Sequence, residues 1–195
     1  MNEFEKIIAD YRNKCGNIIE KHGLKTPKTL ADAINNSVFS KKYTEHQWKV
    51  KNNALVEFEK KLQEQKNEIM KTTNFHELIV QVNKGKIRGI GELTVYDTAE
   101  RIGVFLDIVP DMIYLHSGTE EGAKILLGIS KFSKNLKKED EFRMIAKDCL
   151  PMELQQCSCT ELEDILCMYK DCFNKADCDF TLPSCNIEKK NNKIC

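Results

Sequence analysis

Lys84-Gly85-Lys86-Ile87-Arg88-Gly89-Ile90-Gly91-Glu92-Leu93-Thr94 joins two helical patterns through two glycines one residue apart, with a threonine three residues after the second. Glycines so placed let the chain turn tightly and leave backbone N–H groups uncovered. Those groups then open a helix whose N-terminal dipole end favours a phosphate. The stretch predicts a helical fold organised around a hairpin. It also predicts that Lys84, Lys86, Arg88, Gly89, Ile90, Gly91 and Thr94 contact a nucleic-acid backbone.

The flanks agree with a hairpin. Asn74 and Glu77 have the spacing of a capping box, which places a helix start at Phe75 and turns Leu78, Ile79 and Val82 inward. After the hairpin, a second helix is expected from Glu92 to about Leu106, with Leu93, Tyr96, Ala99, Ile102 and Leu106 inward and Thr94, Asp97, Glu100 and Arg101 more exposed. Asp97 and Glu100 would repel a phosphate, so they are expected a turn or more beyond the hairpin.

Gly89-Ile90-Gly91-Glu92-Leu93-Thr94 resembles the hairpin of the helix-hairpin-helix family of DNA-binding modules, in which an apolar residue sits between two glycines and a threonine follows in the next helix. The resemblance covers residues 75–106. It departs from the family at Val95, where alanine is usual, and at Arg88, where proline often precedes the first glycine. The wider pattern, with Tyr96-Asp97-Thr98-Ala99 and Tyr114-Leu115-His116, is similar to that of small bacterial proteins and implies no activity.

A more distant resemblance, to DNA glycosylases of the endonuclease III type, implies a catalytic aspartate about two dozen residues beyond the hairpin, a place that Asp111 occupies. Such an aspartate would stabilise the sugar cation as a flipped base departs. Pro110-Asp111-Met112-Ile113 does not carry the family's Val-Asp-Thr-His, and Leu93 stands where some members place a lysine. The turn or cap role that follows a proline is the competing reading of Asp111. The same family often holds an iron-sulfur cluster on four cysteines. The gaps between Cys159, Cys167, Cys172 and Cys178 lack its short Cys-x2-Cys pair, and no metal or other cofactor is expected.

The remaining patterns are helical. Phe4, Ile7, Ile8, Tyr11, Cys15, Ile18 and Ile19 form one stripe that Gly23 can close. Thr26-Pro27 reads as an N-cap and first helical residue, with the Asn35-Asn36-Ser37 cluster ending that helix. Thr44 and Gln47 suggest the start of a long helix over about 44–71, with Trp48, Leu55, Leu62 and Ile69 seven apart. Lys51 and Gln65 interrupt any coiled-coil seam, so packing within the protein is the preferred use of that face. Residues 112–115 are expected to be extended, and a helix should start at Ser117-Gly118-Thr119. Gly118 to Lys124 lacks the glycine spacing of a phosphate-binding P-loop. Two further helices are expected over 137–149 and 160–173, the second with a Thr160/Glu163 capping box.

The expected architecture is therefore all-α, a multi-helix globular domain. It divides into 1–72, a helix-hairpin-helix core at 73–135, C-terminal helices at 136–173 and a polar cysteine-containing tail at 174–195. Thirty basic and thirty acidic residues cancel, which excludes a protein that coats nucleic acid along its whole surface. The basic excess lies over 1–72, with 14 Lys and Arg against 10 Asp and Glu. With no membrane-length apolar run and no signal-peptide pattern, a cytoplasmic protein with no membrane partner is expected. Eight of nine cysteines fall in the last quarter of the chain, and in a reducing cytosol most should be thiols. His22, His46, His76 and His116 show no metal-binding spacing, and His116 beside Ser117 reads as a structural residue near a helix cap. Three functions follow: a DNA-binding protein without sequence preference, a glycosylase-like enzyme using Asp111, or a helical protein-interaction module using the long helix.

Overall fold

A computed structural model of the chain describes residues 2–15, 27–39 and 50–173. The structure is mostly helical, with one small sheet that the all-α expectation did not include. The chain forms two compact units, one from Met1–Lys21 with Asp111–Cys195 and one from His22–Pro110. These divisions fall elsewhere than the lines drawn from composition at 72 and 135.

Helix α1 (Glu3–Cys15) belongs to the first of these units, and the hairpin belongs to the His22–Pro110 unit. Its described helices are α2 (Leu30–Phe39), α3 (Asn52–Glu64), α4 (Lys66–Ile69), α5 (Phe75–Lys84) and α6 (Glu92–Leu106). Helix α2 starts later than Thr26-Pro27 suggested. The Thr29 hydroxyl accepts from the Asp32 amide at 3.1 Å, and Pro27 precedes the helix. The helix also runs through Asn35-Asn36-Ser37, because the Ser37 hydroxyl donates back to the Ala33 carbonyl at 2.6 Å instead of competing for the chain's turn.

The long-helix pattern breaks at Gln65, whose backbone (φ −95, ψ 4) leaves the helix between α3 and α4. Thr44, Gln47 and Trp48 lie outside the described residues. Leu55, Phe58, Leu62 and Ile69 are fully buried, so the apolar stripe is core material of its own unit. An interaction module would need that stripe exposed.

Helix α6 packs against both α2 and α5. Burial on two sides explains why six consecutive residues from Thr94 to Ala99 are all buried, where sequence periodicity had turned Thr94 and Asp97 outward. Phe75 and Tyr96 meet edge to face at 5.8 Å.

The other unit combines α1 with β1 (Ile113–Tyr114), α7 (Ser117–Leu127), α8 (Ile129–Asn135), β2 (Lys137–Glu139), β3 (Phe142–Ile145) and α9 (Cys159–Met168). Two short 3-10 turns, Lys147–Cys149 and Leu154–Gln156, lead into α9. The strands are antiparallel in the order β1-β3-β2, with Ile113 opposite Ile145 and Glu139 opposite Phe142. The helix expected over 137–149 is thus a β-hairpin and a 3-10 turn. Lys137-Lys138-Glu139 favours helix by propensity, but buried Phe142 and Met144 alternate with half-exposed Arg143, and Asp140 supplies a positive φ of 51° at the turn. Strand position is set by burial here.

Helix α9 is capped by Ser158 and Glu161, two residues before the expected Thr160/Glu163 box. The Glu161 amide donates to the Ser158 hydroxyl at 3.1 Å, and the Ser158 amide donates to Glu161 at 2.8 Å. Helix α1 lies on α9 through Ile7, Ile8 and Tyr11 in a shared core with Leu162, Ile165 and Leu166. Polar bonds surround that core. The Tyr11 hydroxyl donates to Asp164 at 2.7 Å, the Tyr169 hydroxyl donates to Asp10 at 2.7 Å, and Arg12 pairs with Glu161 at 2.9 Å. Burial pushes the Glu161 carboxyl up, but the hydrogen bonds from Arg12 and Ser158 outweigh it and hold it below the usual range.

The cysteines differ from the thiols expected for a reducing cytosol. Cys149, Cys157 and Cys159 are free, whereas Cys15, Cys167 and Cys172 are disulfide-bonded. Sequence spacing carries no information on which sulfurs the fold brings together. No described helix is long and apolar enough to cross a membrane.

Candidate nucleic-acid interface

The hairpin begins where α5 ends. At its start, the Asn74 side chain accepts from the Glu77 amide at 2.9 Å, while the Glu77 carboxylate receives both the amide and the hydroxyl of Thr73, at 2.8 and 3.0 Å. The expected Asn74/Glu77 cap is therefore formed on one side and moved by one residue on the other. At its end, the amides of Gly85 and Lys86 donate to the carbonyls of Val82 and Asn83 at 3.0 and 2.9 Å, which closes the last turn.

Ile87 to Ile90 then make a tight turn, with the Ile90 amide donating to the Ile87 carbonyl at 3.0 Å. Gly89, at φ +100°, holds the conformation that this turn requires and that a side chain would strain. Ile90 is only 4% exposed and plugs the hairpin into its own unit. Burying the one apolar residue between the glycines fixes the turn and leaves the polar backbone outside.

Gly91 is the N-cap of α6, with extended φ −86° and ψ 169° that any residue could adopt. A Cβ built there would meet nothing within 4 Å. Neither conformation nor packing within the protein calls for glycine at this position, and the space beside its Cα is open. The first helical bond runs from the Val95 amide to the Gly91 carbonyl at 3.1 Å, so the amides of Glu92, Leu93 and Thr94 precede the ladder and have no partner four residues back. Helix α6 has 15 residues, long enough for its dipole to be felt at this end.

In the chain leading to these amides, Lys84 and Arg88 are exposed and Lys86 is half-buried; Glu92 is the single acid between 84 and 94. Lys84 Nζ donates to Gln81 at 2.8 Å, and Gln81 donates to Gln65 at 2.9 Å, which tethers the lysine to a packed surface. The side chain of Thr94 does not join this surface. It is 3% exposed, and its carbonyl accepts from the Thr98 hydroxyl at 2.7 Å. Of the predicted contacts, Thr94 can offer only its amide. Asp97 is buried at 7% exposure near Arg101, at 3.9 Å, and Arg101 in turn donates to the Ser37 carbonyl at 2.9 Å. The carboxylate expected to face outward is thus withdrawn into the unit.

Asp111 lies in the exposed bend after buried Pro110 and opens the other unit, so the hairpin and the glycosylase-like aspartate belong to separate units. Of the four cysteines compared with a cluster, Cys167 and Cys172 are committed to disulfides and Cys178 lies outside the described residues. A sulfur in a disulfide is not available as a thiolate ligand. Among the described residues, no group of three or more His, Cys, Asp or Glu side chains is placed to hold a metal ion.

A second polar assembly, in the unit of α7 and α9, was not visible in the sequence. His116 is the N-cap residue of α7, and its Nε2 meets Glu163 Oε1 and the Thr119 hydroxyl, the latter at 2.8 Å. The same hydroxyl reaches Glu163 Oε1 at 2.8 Å. Thr119 is fully buried and Glu163 is 6% exposed. The local signal is a histidine next to a cap; its partner Glu163 lies on α9, where the spacing from Thr160 reads as a capping box. Set beside known proteins, the chain matches no family model, no curated protein and no solved structure.

Proposed function

We propose that this protein binds DNA without sequence preference, gripping backbone phosphates at the hairpin between α5 and α6. The observation that carries this reading is the N-terminus of α6: the amides of Glu92, Leu93 and Thr94 precede its hydrogen-bond ladder, exposed Gly91 has nothing within 4 Å of an added Cβ, and Lys84, Lys86 and Arg88 lie in the preceding turn of chain. Backbone amides and a helix dipole bind phosphate without reading a base, so affinity arises without sequence information. The neutral net charge keeps the footprint local. A few phosphate contacts give a shallow dependence on salt, whereas an extended basic surface would give a steep one.

Substitution G91D separates binding from folding. Aspartate is at least as good an N-cap as glycine, so the stability of the unit should change by less than about 0.5 kcal/mol. The new carboxylate stands where a phosphate would approach and repels it. Duplex affinity at low salt should fall by a factor on the order of ten, measured by gel shift alongside a thermal melt. A folded G91D protein with the affinity of wild type would take the hairpin out of the interface.

A further inference from the structure

The core around α1 and α9 contains six described cysteines, none more than 7% exposed. Three of them, Cys149, Cys157 and Cys159, are free thiols whose burial pushes them up from the ordinary thiol range, which keeps them protonated and slow to react. The other three are bonded. Cys15 is the last residue of α1, and the next three cysteines along the chain are the free ones. Within its own chain, Cys15 must therefore meet a sulfur at position 167 or beyond. The ring so closed spans at least 152 positions, from 15 to 167, and contains the whole His22–Pro110 unit as a covalent loop.

Helix α1 has 13 residues, a length that is marginal in isolation. It is held by Ile7, Ile8 and Tyr11 and by the polar bonds to Asp164, Tyr169 and Glu161, all on or next to α9. Its partner elements come some 150 residues later, so docking closes a long loop at an entropic cost that a covalent bond removes from the folding equilibrium.

We propose that the disulfide made by Cys15 is a redox-operated latch: oxidised, it holds α1 on the C-terminal half of its unit, and a dithiol reductant releases it. In the release step, one thiolate of the dithiol attacks a sulfur of the protein disulfide, and its second thiol resolves the mixed disulfide. The reductant gives up two electrons and leaves as a cyclic disulfide, while the protein gains two thiols with their protons. The polar bonds of α1 remain, so release loosens the helix without erasing its docking surface.

The test uses the full chain. Free thiols are blocked in denaturant without reductant, the protein is digested, and cysteine peptides are mapped. The Cys15 peptide should appear joined to a peptide containing another cysteine, with Cys149, Cys157 and Cys159 blocked; a blocked Cys15 would overturn the proposal. Thermal melts with and without dithiothreitol then read the latch. Reduction should lower the melting temperature by about 10 °C and expose α1 to limited proteolysis. C15S should melt near the reduced wild type and respond less to the reductant. If C15S does not fold, the wild-type comparison decides. A Cys15 disulfide whose reduction changes neither melting nor cleavage would be an inert bond, and the latch would be wrong.

Discussion

Gly122→Ala is expected to destabilise the unit of α7 and α9 by about 3 kcal/mol, near the upper end for overpacking a single site. Gly122 lies on α7 where that helix crosses α9, and a Cβ added there would fall inside the radius of the Leu166 carbonyl oxygen and 2.7 Å from the carbonyl carbon. The neighbour is helix backbone, which cannot rotate away as a side chain would. Relief requires the two helices to separate, and Ile165, Leu166 and Leu162 would lose contact with the rest of the core. For a chain of this size, the loss corresponds to a fall in melting temperature on the order of 10 °C. Gly91→Ala provides the contrast, since its added Cβ meets nothing and its cost is confined to a poorer N-cap, about 1 kcal/mol or less. Equal stability of the two variants would mean that α7 and α9 do not approach this closely.

Glu163→Ala should cost about 1–3 kcal/mol, because it removes the buried carboxylate that His116 and Thr119 share. The side chains of His116 and Glu163 are 14% and 8% exposed, so water cannot easily replace the missing carboxylate. The Thr119 hydroxyl, fully buried, loses its 2.8 Å bond to the same oxygen. Glu163→Gln keeps the shape and one acceptor and should cost clearly less. Urea denaturation of the three proteins would rank them wild type, Gln, Ala. An alanine variant as stable as wild type would show that the cluster contributes nothing to holding α7 on α9.

The parts of the fold legible in the sequence were those written locally. The Asn74 cap, the two glycines and the stretch from Glu92 to Leu106 each depend on residues within a few positions of one another, and the structure places α5, the turn and α6 at those positions. Extended residues at 113 and 114 and the helix start at Ser117 were readable for the same reason. What failed depends on distant partners. Burial of Phe142 and Met144 against their own unit turned a helix-favouring stretch into a strand, and packing on two sides hid Thr94 and Asp97. Ser158 took the cap that Thr160 seemed to offer, which left Glu163 for His116 and Thr119. The disulfides of Cys15, Cys167 and Cys172 depend on sulfurs meeting in space. In the candidate interface, the glycine spacing could be read directly, but the withdrawal of Thr94 could not.

The central claim is that phosphates meet the first amides of α6, and the most direct measurement is a titration of isotope-labelled protein with a short DNA duplex, followed through its backbone amide resonances. The account predicts that Gly91, Glu92 and Leu93 shift most, that the shifts are the same for duplexes of unrelated sequence, and that they fade as salt is raised. Unmoved resonances at these three residues, with binding detected elsewhere on the protein or not at all, would contradict it.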